Sequence, residues 1–146
     1  MSCSINQLTA LPELPNCRNL GCHTNKITLL PTISPDCMYL YCEVNEITEI
    51  PAYLVNLTSL GCSYNKLTHL PENMNFPNLE RLWCYNNNLT HLPLCLMNCR
   101  YLKSLMYENN EIVLSPQMTR FINRLDQGNF KSLSIYNDGQ NIHNSN

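Results

Sequence analysis

An asparagine recurs along the chain at nearly even intervals, and similar residues surround each copy. The intervals between successive copies are 19, 20, 20, 22 and 23 residues. The six copies are Asn6, Asn25, Asn45, Asn65, Asn87 and Asn110. A period of about twenty residues is typical of solenoid proteins. This period constrains the fold more than composition does, because one repeat can bury its apolar face only against its neighbours.

Each asparagine stands in a fixed frame of apolar residues, usually with a cysteine and always with a proline. Leucine lies five residues before the asparagine in the last five copies, and cysteine lies three residues before it in the first five. Leucine or isoleucine follows after two residues, and proline after six. Because the leucine and the cysteine alternate with period two, both side chains should face the core from a short strand. The asparagine amide should satisfy backbone groups where the chain leaves the strand.

The frame, LxxLxCxxNxLTxLP, resembles the LxxLxLxxNxL signature of the leucine-rich repeat family over residues 3 to 116. The resemblance implies an α/β leucine-rich repeat solenoid with short parallel strands on the concave face and a C-terminal capping helix. Irregular or 3₁₀ segments are expected on the convex side. The short repeats and their LTxLP ending look most like those of bacterial effectors and of giant, mimivirus-type viruses. The phrase LYCEVNEITEIP, at residues 40 to 51, favours the viral set, which implies the cytosol of a host cell.

The domain organisation follows from where the frame ends. We expect a solenoid of about six repeats over residues 1 to 116, a capping helix over 117 to 127 and a polar tail over 128 to 146, with FKSLSIY as one further strand. Ser115 and Pro116 form a helix-start signal. The apolar residues that recur at helical spacing are Met118, Phe121, Ile122 and Leu125.

Two further expectations concern the convex side and the ends of the chain. The lengthening intervals favour short 3₁₀ or helical turns around Leu54, Met74 and Leu96. The chain begins inside a repeat without a preceding amphipathic helix, so we expect a poorly capped first repeat. The abrupt tail is also what a truncated member of the family would show.

Nine cysteines suggest a metal or disulfide protein, but the frame accounts for seven of them as core residues. Cys95 and Cys99 lie outside the frame in PLCLMNCRYL, where an amphipathic convex segment is favoured over half of a zinc site. We expect free thiols in a reducing compartment, with no metal and no cofactor.

Charge and hydropathy limit the classes of partner. A net charge of −2 offers no basic face for a run of phosphates, so nucleic acid is not expected. The chain has no apolar run of about 18 residues that could cross a bilayer. We therefore expect a cytoplasmic monomer without a membrane partner.

Function should lie in the side chains that alternate with the core residues, because these point to the concave face. They combine aromatic residues, arginine and methionine, which are enriched at the centres of protein interfaces. We consider Trp83, the single tryptophan, the main candidate anchor. The candidate partner-binding residues are Tyr39, Tyr41, Glu43, Tyr64, Arg81, Trp83, Tyr85, Met106 and Glu108. The alternative is that the aromatic residues are ordinary strand formers that cover one another.

An enzyme finds little support in the sequence, which has no glycine-rich phosphate loop and no evident set of nucleophile, base and orienting group. The sequence predicts a non-enzymatic protein-protein interaction module that binds a partner on its concave face. Two alternatives stay open: a decayed or truncated paralogue without a dedicated partner, and the substrate-recognition part of a ubiquitin-ligase-type effector that lacks its catalytic domain.

Overall fold

The structure is a computed structural model that describes residues 1–128. Five three-residue strands form one parallel sheet in chain order: β1 (Asn19–Gly21), β2 (Tyr39–Tyr41), β3 (Ser59–Gly61), β4 (Arg81–Trp83) and β5 (Ser104–Met106). Each strand pairs in register with the equivalent strand of the next repeat. The predicted solenoid with parallel strands is therefore confirmed.

The chain before β1 continues the sheet by one position. Ser2 forms an isolated parallel bridge with Gly21, and the N–H of Cys3 donates to the Gly21 carbonyl at 2.9 Å. The first repeat thus pairs its backbone with β1 although it forms no regular strand.

The core runs along the inside of the sheet as stacked rows of equivalent residues. The central leucine of every strand is at most 1% exposed, and the cysteines two residues later in the first four strands are fully buried. The leucines are Leu20, Leu40, Leu60, Leu82 and Leu105, and the cysteines are Cys22, Cys42, Cys62 and Cys84. In the last repeat Tyr107 takes the position of the cysteine and is also buried.

The repeated asparagines join the coils, as the sequence predicts. The Asn65 side-chain amide donates to the carbonyl of Cys62 in its own repeat at 3.0 Å and to that of Cys42 in the previous repeat at 3.1 Å. Its Oδ1 atom accepts the N–H of Ile47 at 2.9 Å. Asn45 and Asn87 repeat the arrangement. Each amide therefore satisfies buried backbone groups that the strand ladder does not reach.

The convex side differs in part from the prediction. A 3₁₀ helix, Leu94–Asn98, forms around Leu96 as expected. Around Leu54 and Met74 the chain forms hydrogen-bonded turns instead. These two places thus have single turns, each closed by a bond between residues three apart, and no 3₁₀ helix.

A helix, α1 (Pro116–Gly128), follows the last coil. Ser115 caps its start, since its Oγ atom accepts the N–H of Met118 at 3.1 Å. Met118, Phe121 and Ile122 are buried against the core. The predicted C-terminal helix is thus present, whereas the strand predicted within FKSLSIY and the polar tail lie outside the described residues. No helix within residues 1–128 is long and apolar enough to cross a membrane.

Candidate partner-binding face

The outward side chains of the sheet form rows that cross all the strands. The first row begins each strand and the second ends it, as the in-register pairing requires. The third row lies two residues beyond, where the backbone still pairs between neighbouring coils. The first row is Asn19, Tyr39, Ser59, Arg81 and Ser104, the second is Gly21, Tyr41, Gly61, Trp83 and Met106, and the third is His23, Glu43, Ser63, Tyr85 and Glu108.

An aromatic pair spans the second row. The ring centroids of Tyr41 and Trp83 lie 6.5 Å apart with an interplanar angle of 36°. Their strands are not neighbours, because β3 lies between them. The two rings can meet since the intervening residue of the row, Gly61, has no side chain.

The space above Gly61 is filled by its neighbours. A Cβ atom placed at Gly61 would lie 2.7 Å from Cδ of Glu43 and 3.0 Å from Cδ1 of Tyr41, which is too close for both. The glycine therefore admits the Glu43 carboxylate and the Tyr41 ring. At Gly21, by contrast, an added Cβ would meet nothing nearer than 3.7 Å.

Glu43 is a half-buried carboxylate in this aromatic surrounding. Burial raises the pKa of its carboxyl group above the ordinary value, while its own backbone N–H and the charge of His23 act in the opposite direction. Desolvation is the largest of these effects. The charged carboxylate of Glu43 is therefore less well solvated than an exposed carboxylate would be.

A second aromatic pair adjoins the first. Tyr64 and Tyr85 meet edge to face, with ring centroids 5.5 Å apart and an interplanar angle of 80°. Tyr64 is half exposed, at 50%, and Tyr85 is partly buried. Burial raises the pKa of the Tyr85 hydroxyl, and the charges of Glu108 and Glu43 add to that effect. Four aromatic rings from three repeats thus form one surface with carboxylates beside it.

Polar groups hold two of the large side chains in place. Nε1 of Trp83 donates to Oγ of Ser104 at 3.0 Å, and Nε of Arg81 donates to Oγ of Ser59 at 2.9 Å. Nη1 of Arg81 also lies 4.0 Å from Oε2 of Glu80. The two hydrogen bonds, to Ser104 and Ser59, reach neighbouring strands, so the sheet itself orients the tryptophan and the arginine.

The concave face contains a cleft of about 500 Å³, which we call the Gly21 cleft. Gly21, Glu43 and the rings of Tyr41, Trp83 and Tyr85 all line it. The complete lining is Ser2, Ser4, Gly21, His23, Tyr41, Glu43, Val44, Trp83 and Tyr85.

The predicted residues divide into three groups in the structure. Tyr41, Glu43, Trp83 and Tyr85 meet at the cleft, and Tyr64 packs on Tyr85. Tyr39, Arg81 and Met106 lie on the strands outside the cleft lining. Glu108 is buried, at 6% exposure.

Sequence reasoning missed part of the cleft. Ser2, Ser4, Gly21, His23 and Val44 line it but are not among the predicted partner-binding residues. The frame contained the missing signal, because Ser2 and Ser4 precede Asn6 by the same distances at which Gly21 and His23 precede Asn25.

The cysteines do not form a second site. All nine are free thiols within the described residues, and six of them are buried. Burial raises the pKa of Cys22 to about 12 and those of Cys37 and Cys99 to about 11, which keeps these thiols protonated at neutral pH. No group of three or more histidine, cysteine, aspartate or glutamate side chains within residues 1–128 could hold a metal ion.

Comparison with protein-family models and with curated proteins gives no match. Among solved structures, the chain is similar to YopM from Yersinia enterocolitica, with 33% identity over 75% of this chain and 24% of that one and a TM-score of 0.64. It is also similar in fold to a leucine-rich repeat protein from Leptospira interrogans, with 24% identity over 79% of this chain and 36% of that one and a TM-score of 0.64. The chain thus spans about a quarter and about a third of these two proteins.

Proposed function

From the leucine-rich repeat fold that the chain adopts, we propose that it is a non-enzymatic module that binds a protein partner on its concave face. Solenoid repeat proteins generally use such extended concave surfaces for binding. The observation that carries the proposal is the aromatic cluster formed by Tyr41, Trp83, Tyr64 and Tyr85. The remaining contacts of the proposed interface come from Tyr39, Glu43, Arg81 and Met106, whereas Glu108 is too deeply buried to contact a partner and was wrongly included among the predicted contacts.

The chemistry of the cluster favours a protein as the partner. Tryptophan, tyrosine and arginine dominate the binding energy of protein interfaces, and each buried aromatic side chain removes about 150 to 250 Å² from water. Trp83 and Arg81 are already oriented by bonds to Ser104 and Ser59. A partner would therefore order few flexible side chains on binding, which lowers the entropic cost of association.

The setting of the interaction belongs to the same proposal. The net charge of −2 disfavours a nucleic-acid partner. We propose that the protein acts as a monomer, and the likeness of the repeat phrases to those of giant-virus proteins favours the cytosol of a host cell as its location. A chain without a dedicated partner is the alternative, and the mutual packing of the two aromatic pairs is the observation that favours it.

Affinity capture from the cytosol of the cells that contain the protein tests the proposal. The wild type is compared with a variant carrying Tyr41→Ala, Trp83→Ala and Tyr85→Ala. The matched control carries Leu29→Ala, Leu94→Ala and Tyr101→Ala, which remove exposed apolar side chains outside the strands. Both variants must first show the circular dichroism and cooperative melting of the wild type.

We expect mass spectrometry to identify the same captured proteins for the wild type and the control. The concave variant should recover at least one of these proteins about tenfold less, because a tenfold loss of affinity corresponds to about 1.4 kcal/mol of binding free energy. Equal recovery by all three proteins would show that the concave face is not the binding surface. Recovery of no specific protein would favour the chain without a partner.

A further inference from the structure

The Gly21 cleft combines a space, a charge and aromatic faces that together select one kind of occupant. We propose that this cleft receives a cationic side chain, lysine or arginine, from the protein partner. The inference rests on the proposed function and specifies the chemistry of the partner at one place on the concave face.

The Gly21 cleft has room for part of a partner. The cleft has a volume of about 500 Å³ and is shallow and largely open to solvent, and Gly21 adds no side chain to its lining. Such a volume accommodates one long side chain with part of its backbone. The cleft therefore fits an extended residue of a partner and not a whole structural element.

The charged side chains that line the cleft favour a cation. Among the lining residues Glu43 is the one carboxylate and His23 the one basic side chain. Burial removes part of the water around Glu43 and raises the pKa of its carboxyl group. Its charge, together with that of Glu108, contributes to the raised pKa of the neighbouring Tyr85 hydroxyl. An ammonium or guanidinium group near Glu43 would form a charge-assisted hydrogen bond and compensate for the water that the carboxylate has lost.

The aromatic rings that line the cleft also favour a cation. Tyr41, Trp83 and Tyr85 line the same cleft, and aromatic faces attract cations within about 6 Å of the ring centre, tryptophan most strongly. The aliphatic stem of a lysine or arginine would cover the rings while its charged end reaches Glu43. Rings and carboxylate thus act on the same ligand group.

The same features disfavour other occupants. An anionic side chain would be repelled by Glu43. An apolar side chain would cover the half-buried carboxylate without giving it a partner, which costs free energy. Both therefore serve as comparisons in the experiment.

The single tryptophan makes the test direct, because the intrinsic fluorescence of Trp83 reports on the cleft wall. The full chain is titrated with blocked pentapeptides, acetyl-Gly-Gly-X-Gly-Gly-amide, in which X is lysine, arginine, norleucine or glutamate. Any affinity tag is placed at the C terminus, since the amino group of Met1 donates to the carbonyl of Asn19 at 2.6 Å in the strand that borders the cleft.

We expect the lysine and arginine peptides to bind about 5- to 30-fold more tightly than the norleucine peptide, equivalent to about 1 to 2 kcal/mol. Raising the salt concentration should weaken the binding of the cationic peptides and leave the binding of the norleucine peptide unchanged. Glu43→Gln should abolish the discrimination. The matched control, Glu46→Gln, removes a carboxylate that pairs with Lys66 at 3.0 Å and does not line the cleft, so it should leave the discrimination intact.

Three results would overturn the inference: norleucine binding as tightly as lysine, unchanged discrimination in Glu43→Gln, or no fluorescence change with any peptide. Failure of this inference can be separated from failure of the proposed function. If Glu43→Gln captures the same cytosolic proteins as the wild type while the triple aromatic variant does not, the concave face binds a protein but the cation does not select it.

Discussion

The residue that precedes each repeated asparagine has an unusual backbone conformation. Its φ angle lies between 55° and 59° in all six copies, in the left-handed region that side chains other than glycine and asparagine avoid. These residues are Ile5, Thr24, Val44, Tyr64, Asn86 and Asn109. The turn is held by the ladder, as the N–H of Val44 donates to the Ser63 carbonyl at 3.0 Å and the side chain of Asn45 bonds on both sides of it.

We predict that Val44→Asn raises the free energy of unfolding by about 0.5 to 1 kcal/mol, because asparagine tolerates this conformation and a β-branched residue does not. The control is Val55→Asn, a residue of similar exposure, 39% against 44%, without a positive φ angle. Urea denaturation followed by circular dichroism measures both. An equal gain in the two variants would show that the effect comes from replacing an exposed apolar side chain with an amide and not from the backbone conformation.

Part of this residue-level picture could be predicted from the sequence. The role of the asparagine could be predicted, because every copy makes the same turn and the amide can bond the backbone groups of that turn. The left-handed residue could not be, since the first four copies place isoleucine, threonine, valine and tyrosine there. Only Asn86 and Asn109 carry the residue type that indicates such a turn.

Helix α1 is the element that covers the last coil. Met118 and Ile122 are each 1% exposed and Phe121 is 8% exposed, so the helix buries three large side chains in the core, and it packs against the 3₁₀ helix Leu94–Asn98. In a solenoid each coil is stabilised mainly by the adjacent ones. Loss of the cap should therefore weaken the C-terminal coils before it weakens the N-terminal ones.

We predict that Ile122→Ala lowers the free energy of unfolding by about 2 to 5 kcal/mol, because it opens a cavity between the helix and the last coil. Amide hydrogen exchange should become faster in β5 than in β2. Arg120→Ala, at an exposed position of the same helix, is the control and should change neither quantity. Uniform acceleration across all strands would mean that the solenoid unfolds as one unit.

At the level of elements, the sequence predicted the strands and α1 better than the convex turns. A 3₁₀ helix needs successive bonds between residues three apart, and such a helix forms at Leu94–Asn98, with bonds of 3.0 Å at its two ends from Leu96 to Pro93 and from Cys99 to Leu96. The segments near Leu54 and Met74 form single turns, closed by bonds of 3.3 Å from Leu57 to Leu54 and from Met74 to Pro71. Residue types do not indicate whether such a turn extends into a 3₁₀ helix.

The candidate site shows the same limit. The period-two alternation predicted which side chains lie on the concave face, because it depends on the backbone alone. It could not predict that Tyr41 meets Trp83 over Gly61 or that Glu43 is desolvated there. Those contacts depend on side-chain conformations in repeats that are not adjacent.

For the whole molecule, the links between coils run from each repeat to its neighbour. Asn45 bonds the Cys22 carbonyl, Asn65 the Cys42 carbonyl and Asn87 the Cys62 carbonyl, at 3.0 to 3.1 Å. The sheet pairs each strand with the next one in the chain. One complete coil is therefore a unit that could be removed without disturbing the connections of the others.

We predict that deletion of residues 46 to 65 leaves a folded protein, because it joins Asn45 to Lys66 and keeps the frame. Asn87 would then bond the carbonyl of Cys42 in place of that of Cys62, and β4 would pair with β2. The m value in urea should fall by about 10 to 15%, since less surface is exposed on unfolding. The control deletion, residues 50 to 59, removes half a coil and leaves too little chain to return from the convex side to the next strand. It should abolish cooperative unfolding, so a ten-residue deletion that unfolds as cooperatively as the twenty-residue one would show that the repeat is not the structural unit.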